Sequence, residues 1–242
     1  MKYLLISIFL CCALTFINCS KDGSNAEKQN GFLQGTVTDG RGLPLQGVKI
    51  IIDNSLFFNR NLSTTTNSSG TYKIAIPVGS WYAFAQLQKM YNGKNYQFYL
   101  HSENPAGFGK EGGQRNFSWK LTGEKPEPLS GYYGGLVTFD NYPGSYIEAE
   151  QDIEFTFIPS GKLIDGSDGT ILKLKAADAH QLHDIPIGRY RVSASYHGEQ
   201  LLLRKWNSEE VFAHEVILDF EPQIPQQCDN CFKLEYKLNR VL

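Results

Sequence analysis

One phrase occurs twice in this sequence, and that repetition restricts the available folds more than any other feature. Ile76-Pro77-Val78-Gly79-Ser80-Trp81-Tyr82 recurs as Ile185-Pro186-Ile187-Gly188-Arg189-Tyr190. Each copy leads into a β-prone run and then a hairpin signal, Tyr91-Asn92-Gly93 in the first half and Tyr196-His197-Gly198 in the second. Tight hairpins need positive φ at their central positions, which Gly and Asn accept readily. Upstream, Gly35-Thr36-Val37-Thr38-Asp39 has a looser counterpart in Gly135-Leu136-Val137-Thr138-Phe139-Asp140, and Val48-Lys49-Ile50-Ile51-Ile52 is echoed by Ile153-Glu154-Phe155-Thr156-Phe157. The second of these runs alternates apolar and polar residues as a half-buried strand does, whereas the first is apolar enough for burial on both faces. The shared order of signals predicts an all-β chain of two related β-sandwiches.

Composition agrees with that class. Aromatics form 13% of the chain, there are 23 glycines and only two methionines, a balance suited to twisted sheets joined by tight turns. The 242 residues allow two sandwiches of about 100 residues each or one distorted sandwich with a long insertion. Gly123-Glu124-Lys125-Pro126-Glu127-Pro128-Leu129-Ser130-Gly131 interrupts strand pairing, because proline lacks the N–H that a ladder needs. The expected division is a first sandwich over 32–122, a Pro-rich linker over 123–131 and a second sandwich over 132–242. Lys and Arg number 23 against 25 Asp and Glu, so no broad basic face is expected and nucleic acid is not an expected partner.

The N-terminus reads as a processing signal. One lysine precedes an apolar run from Tyr3 to Ile17, shorter than the roughly 20 residues a transmembrane helix requires. Phe16-Ile17-Asn18-Cys19 ends the run, and a polar tract too poor in apolar groups to fold follows from Ser20 to Asn30. This segment resembles the lipobox of bacterial lipoproteins, although Phe16 and Asn18 depart from its usual residues. The continuation Cys19-Ser20-Lys21-Asp22 resembles lipoproteins of the Bacteroidetes group. The resemblance implies a signal peptide over 1–18, lipidation of Cys19, a tether over 19–31 and attachment to the outer membrane, with Asp22 favouring surface display. An ordinary cleaved signal, giving a soluble secreted protein, is the alternative.

The run Gly35 to Val48, the segment Thr64-Thr65-Thr66-Asn67-Ser68-Ser69-Gly70-Thr71-Tyr72-Lys73-Ile74 and the phrase at Ile76–Gly79 together resemble the carboxypeptidase regulatory-like domain. The resemblance covers most of residues 32–90 and implies a transthyretin-like sandwich with a non-catalytic stabilising or binding role. Gly70 is expected at positive φ ahead of a strand at Tyr72. The second half keeps the Ile-Pro-x-Gly-x-Tyr phrase but carries Ala177-Asp178-Ala179-His180-Gln181-Leu182-His183 where the first half has Gly-x-Tyr.

Candidate chemistry is sparse. Cys228-Asp229-Asn230-Cys231 reads as a short disulfide suited to an oxidising compartment, with half a zinc site and a redox pair as the other options. His180 and His183 are the only closely spaced histidines, while His101 and His214 adjoin carboxylates without forming a metalloprotease motif. No metal or cofactor and no catalytic residue is expected. Tyr91, Tyr96, Tyr132, Tyr133 and Tyr142 put rings beside polar groups in expected loops, the combination that stacks on sugar faces and bonds their hydroxyls. Trp81, Phe84, Phe98 and Trp119 are expected to fill cores. The chain is thus expected to be a non-catalytic envelope lipoprotein that binds an extracellular glycan or an envelope protein. The competing readings are a structural spacer or assembly factor, and a metal-dependent hydrolase.

Overall fold

The computed structural model describes residues 31–127, 129–176 and 180–239. Cys19, the leader and residues 20–30 lie outside the described residues, as do Ala177, Asp178 and Ala179. The described chain is all-β, with one 3-10 turn at Glu150–Asp152. The first half contains β1 (Phe32–Asp39), β2 (Lys49–Asn54), β3 (Asn61–Thr65), β4 (Thr71–Ala75), β5 (Trp81–Tyr91), β6 (Lys94–His101), β7 (Gly112–Gln114) and β8 (Phe117–Trp119). The second contains β9 (Gly135–Asn141), β10 (Glu154–Pro159), β11 (Leu172–Lys175), β12 (Gln181–Ile185), β13 (Arg189–Tyr196), β14 (Glu199–Gln200), β15 (Leu202–Lys205), β16 (Val216–Asp219), β17 (Glu221–Ile224) and β18 (Cys228–Lys237).

Each half is a sandwich of two sheets, and the two share a strand plan. In the first, β4 pairs antiparallel with β1, whose other edge takes β7 and β8 in parallel, and the order β3-β2-β5-β6 forms the facing sheet. In the second, β12 pairs antiparallel with β9, β18 lies parallel to β9, and β11-β10-β13 faces them. Inward residues at alternate positions meet between the sheets, among them Leu33, Val37, Ile50 and Ile52 in the first half and Phe139, Phe155 and Phe157 in the second. The Phe139 and Phe155 rings, one from each sheet, lie 4.7 Å apart. β10 alternates as expected. β2 does not bury both faces: Ile50 and Ile52 point inward, but Ile51 stays half-buried beside Phe84 on the outer face of its sheet.

The repeated phrase turns the chain from one sheet to the other. Trp81 Nε1 donates to the Pro77 carbonyl at 3.1 Å, and Tyr190 OH donates to the Pro186 carbonyl at 2.8 Å. Each aromatic folds back over the corner four residues behind it. The intervening glycine makes room, since a Cβ at Gly79 would sit 2.7 Å from the Trp81 ring nitrogen.

The hairpins also match. Asn92-Gly93 has φ of 47° and 78°, and His197-Gly198 has 49° and 84°, the paired positive values of a type I′ turn. Where the second half lacks the glycine of Gly70-Thr71-Tyr72, His180 adopts φ 68° against 69° for Gly70. The Phe139 N–H donates to the His180 carbonyl just as Val37 N–H donates to that of Gly70. This equivalence shifts the register of β9 against β1 by two residues from the sequence phrase, matching Gly35 to Val137. A shift of two preserves which side chains face inward.

The halves are packed end to end. The β5–β6 hairpin tip enters the second half: Tyr91 OH donates to the Lys162 carbonyl at 2.7 Å and accepts from Arg189 N–H at 3.1 Å. Lys94 Nζ reaches the Asp219 and Phe220 carbonyls and the Glu221 carboxylate, and Tyr96 OH donates to the Phe220 carbonyl at 2.6 Å. Tyr96 is 0% exposed. Tyr91 and Tyr96 therefore do not stand in ligand-binding loops. Their hydroxyls satisfy backbone groups at a buried junction, where an unpaired carbonyl would be costly.

Candidate binding cleft beside the junction

The outer face of β5 and β6 carries Phe84 between Tyr82 and Tyr99, with ring centroids 6.3 Å and 6.2 Å from it. Phe84 is thus not a core residue: alternation along β5 sends Trp81, Ala85 and Leu87 inward and leaves Phe84 facing out. Trp81, Phe98 and Trp119 are buried as expected. Phe84 and Tyr99 of this face form one wall of an open cleft of about 550 Å³, whose other walls come from the end of β8, residues 125 and 132–134, and the start of β18.

Asp184, which the sequence reading did not single out, positions the loop that bears Tyr132 and Tyr133. Its carboxylate accepts from Gly123 N–H at 2.8 and 2.9 Å and from Gly134 N–H at 3.1 Å, clamping both ends of residues 123–134. Tyr133 N–H donates to the Gly123 carbonyl, and Lys125 N–H to that of Gly131, so the Pro-rich segment folds into a tied loop. Gly134 passes so close to Asp184 that a Cβ would lie 2.5 Å from its backbone. No local sequence signal marks Asp184, because its partners are about fifty and sixty residues away.

On the second half's side, Cys228 and Cys231 are joined in a disulfide, so neither offers a thiolate to a metal or a redox partner. The bridge spans a kink at Asn230, with φ 49°, and presents Asp229 and Asn230 to the cleft. Two residues lining the cleft each hold a buried side-chain group without a hydrogen-bond partner among the described residues: the Trp119 indole N–H and the Asn230 side-chain carbonyl. One is a donor and one an acceptor, and a buried polar group left unpaired is costly. Around them stand Lys120, with its ammonium 5.5 Å from the Tyr133 ring, Lys125 and His101. Desolvation, followed by the nearby Lys125 charge, lowers the His101 pKa, and burial raises that of the Tyr133 hydroxyl. Both shifts favour the uncharged form.

The other expected site residues lie elsewhere. Tyr142 stands beyond the far end of β9, which is seven residues long, or roughly 23 Å of strand. It packs there against Phe212 and Arg204. His180 bonds the Phe139 carbonyl and pairs with Glu150 at 3.1 Å, whereas the His183 ring lies 5.4 Å from Tyr132. Among the described residues no group of three or more His, Cys, Asp or Glu is arranged to hold a metal ion.

Fold and cleft together define an all-β protein of two packed sandwiches with an aromatic-walled surface cleft beside their junction. No protein-family model matches the sequence, and no curated protein matches it. Among solved structures, the chain is similar to the Bacillus anthracis TIE protein, at 14% identity and a TM-score of 0.35, over 87% of this chain and 34% of that one. It is similar to fervidolysin from Fervidobacterium pennivorans, a keratinolytic enzyme related to subtilisin, at 13% identity and a TM-score of 0.31, over 70% of this chain and 25% of that one. A C-terminal fragment of the pilus adhesin SpaC from Lactobacillus rhamnosus GG is similar at 11% identity and a TM-score of 0.24, over 88% of this chain and 99% of the fragment. The chain thus spans about a third and a quarter of the first two.

Proposed function

We propose that the protein is a non-catalytic binding module of the cell envelope, held to the outer membrane through a lipid on Cys19, and that its cleft takes an extracellular glycan. The observation that carries the ligand class is the pairing of an exposed aromatic wall with polar and charged side chains lining the same cleft. Phe84, Tyr99 and Tyr132 present apolar rings for the C–H faces of a sugar, while His101, Asp229 and the two lysines suit its hydroxyls. Mixed charge and an open mouth favour a chain of neutral sugars over a small anion.

Titration calorimetry of the protein against a panel of soluble polysaccharides tests this. Tyr99→Ala and Tyr132→Ala each remove one ring and are expected to weaken binding about tenfold, equivalent to ~1.4 kcal/mol. Tyr142→Ala, outside the cleft, is expected to leave affinity unchanged. Binding that survives the first two substitutions would remove the cleft as the site. The locked end-to-end packing favours a second reading, a rigid spacer without a small-molecule site, and failure to bind any glycan in the panel would select it.

A further inference from the structure

The loop between β2 and β3 ends in three consecutive large apolar residues in solvent: Leu56 is 73% exposed, Phe57 58% and Phe58 99%. Such a run is destabilising to solubility unless something covers it. The loop is built to hold these side chains up. The Asn54 side-chain carbonyl accepts from the N–H groups of Leu56 and Phe57, each at 2.9 Å, and Asn59 adopts φ 61° to reverse the chain. Ser55 ties the loop to the neighbouring Pro77 corner, its N–H donating to the Ser80 carbonyl at 2.9 Å and its hydroxyl meeting that of Ser80 at 2.7 Å. That corner presents Val78, 84% exposed. Arg60 stands just behind, with its guanidinium 5.5 Å from the Phe57 ring.

The chain enters the folded body at this same end. Gly31 leads into β1, its carbonyl accepts from Ile76 N–H at 2.8 Å beside the corner, and its N–H donates to the Glu111 carbonyl. The opposite end of the first sandwich is occupied, because the β5–β6 hairpin docks there on the second half. Eleven residues lie between Cys19 and Gly31, and the twelve residue-to-residue steps reach at most about 43 Å when extended. A lipid on Cys19 would therefore tether the body at this end and keep the apolar loop within about 43 Å of the bilayer.

We infer that Leu56, Phe57, Phe58 and Val78 form a membrane-seating tip that enters the lipid interface, with Arg60 at the level of the headgroups. This inference rests on the lipid anchor proposed above. Aromatic and aliphatic side chains settle at that interface, and an arginine beside them can extend its charge to phosphates while its stem stays apolar. A tip of this kind would fix the tilt of the body and hold the cleft at a set height above the membrane.

The test uses the full acylated protein in phosphatidylcholine–phosphatidylglycerol vesicles, with and without brominated acyl chains. Phe58→Trp places a reporter at the tip and Tyr146→Trp places one in the β9–β10 loop, at the far end of the second sandwich. The signal of each is the difference from unsubstituted protein. Flotation with the vesicles, together with bromine quenching of the added tryptophan in Phe58→Trp but not in Tyr146→Trp, is the expected result. Flotation without quenching at position 58 overturns the tip and leaves the anchor standing, and a concentration-dependent sedimentation coefficient in that case assigns the tip to a second copy of the chain. Failure to float overturns the anchor, and the tip with it.

Discussion

At the scale of single residues, Asp39 shows how a carboxylate at a strand end is held by the turn that follows it. It is buried at the end of β1, where its carboxylate accepts from the Arg41 and Leu43 N–H groups, each at 2.9 Å, and from the Arg41 guanidinium at 2.7 and 3.0 Å. Burial alone would raise its pKa. The hydrogen bonds from the Arg41 side chain and from the Leu43 and Arg41 backbones outweigh burial, and the pKa lies below the ordinary 3.8. A carboxyl whose pKa falls on folding contributes stability that is fully present above its unfolded value and is lost as the pH drops through the folded value. The Asp39 contribution is therefore intact at pH 5 and above and disappears in acid below 3.8. Asp39→Ala is expected to cost about 2 kcal/mol at neutral pH by urea denaturation, because two turn N–H groups lose their acceptor. That deficit should shrink as wild type and variant are compared at progressively lower pH.

At the scale of elements, the two Pro corners are the same device with different aromatics. Their sterics predict unequal tolerance. A methyl at Gly79 meets the rigid Trp81 indole at 2.7 Å, whereas a methyl at Gly188 meets the Leu163 side-chain tip at 2.7 Å and the Tyr190 ring at 3.1 Å. Leu163 can rotate away and the indole cannot, so Gly79→Ala is expected to cost about 1–3 kcal/mol and Gly188→Ala less. Tyr190→Phe, which leaves the ring and removes only the bond to the Pro186 carbonyl, is expected to cost about 1 kcal/mol. Thermal unfolding of the three variants ranks them directly. The return strand is where the halves part company. β6 runs along nearly all of β5, but β14 pairs with β13 for only two residues before β15 crosses to the opposite sheet and β16 takes the vacated edge.

At the scale of the whole molecule, the junction decides behaviour. Buried side chains of both halves form one continuous core cluster, and Tyr96, fully buried, bonds across it. The chain is expected to melt in a single transition with equal calorimetric and van't Hoff enthalpies. Lys94→Ala combined with Tyr96→Phe removes three bonds to the Asp219–Phe220 backbone and the ion pair to Glu221, and should separate the melt into two steps. Retention of one transition in that variant would show that apolar packing alone couples the halves. The same junction sets the cleft, which draws its aromatic wall from the first sandwich and its disulfide-held polar edge from the second.

Features governed by local spacing were legible without coordinates. The corners, both hairpins, the glycine at Gly70 and the alternation of β10 follow from φ preferences and a two-residue period, which neighbouring residues determine. The sequence alone also contains the Cys19 segment and the pairing of Cys228 with Cys231 as the expected cross-link. What only the tertiary structure decided is which face of each aromatic meets water and which half it meets. Tyr96 sits one residue after Asn95 and resembles a loop tyrosine, but the second half closes over it, whereas Phe84 resembles a core residue and is left facing out. His180 takes a glycine's conformation because the ladder with β9 demands it, and Asp184 clamps a loop that begins about sixty residues upstream. Burial depends on what packs against a strand from elsewhere in the chain, and residue spacing carries no record of that.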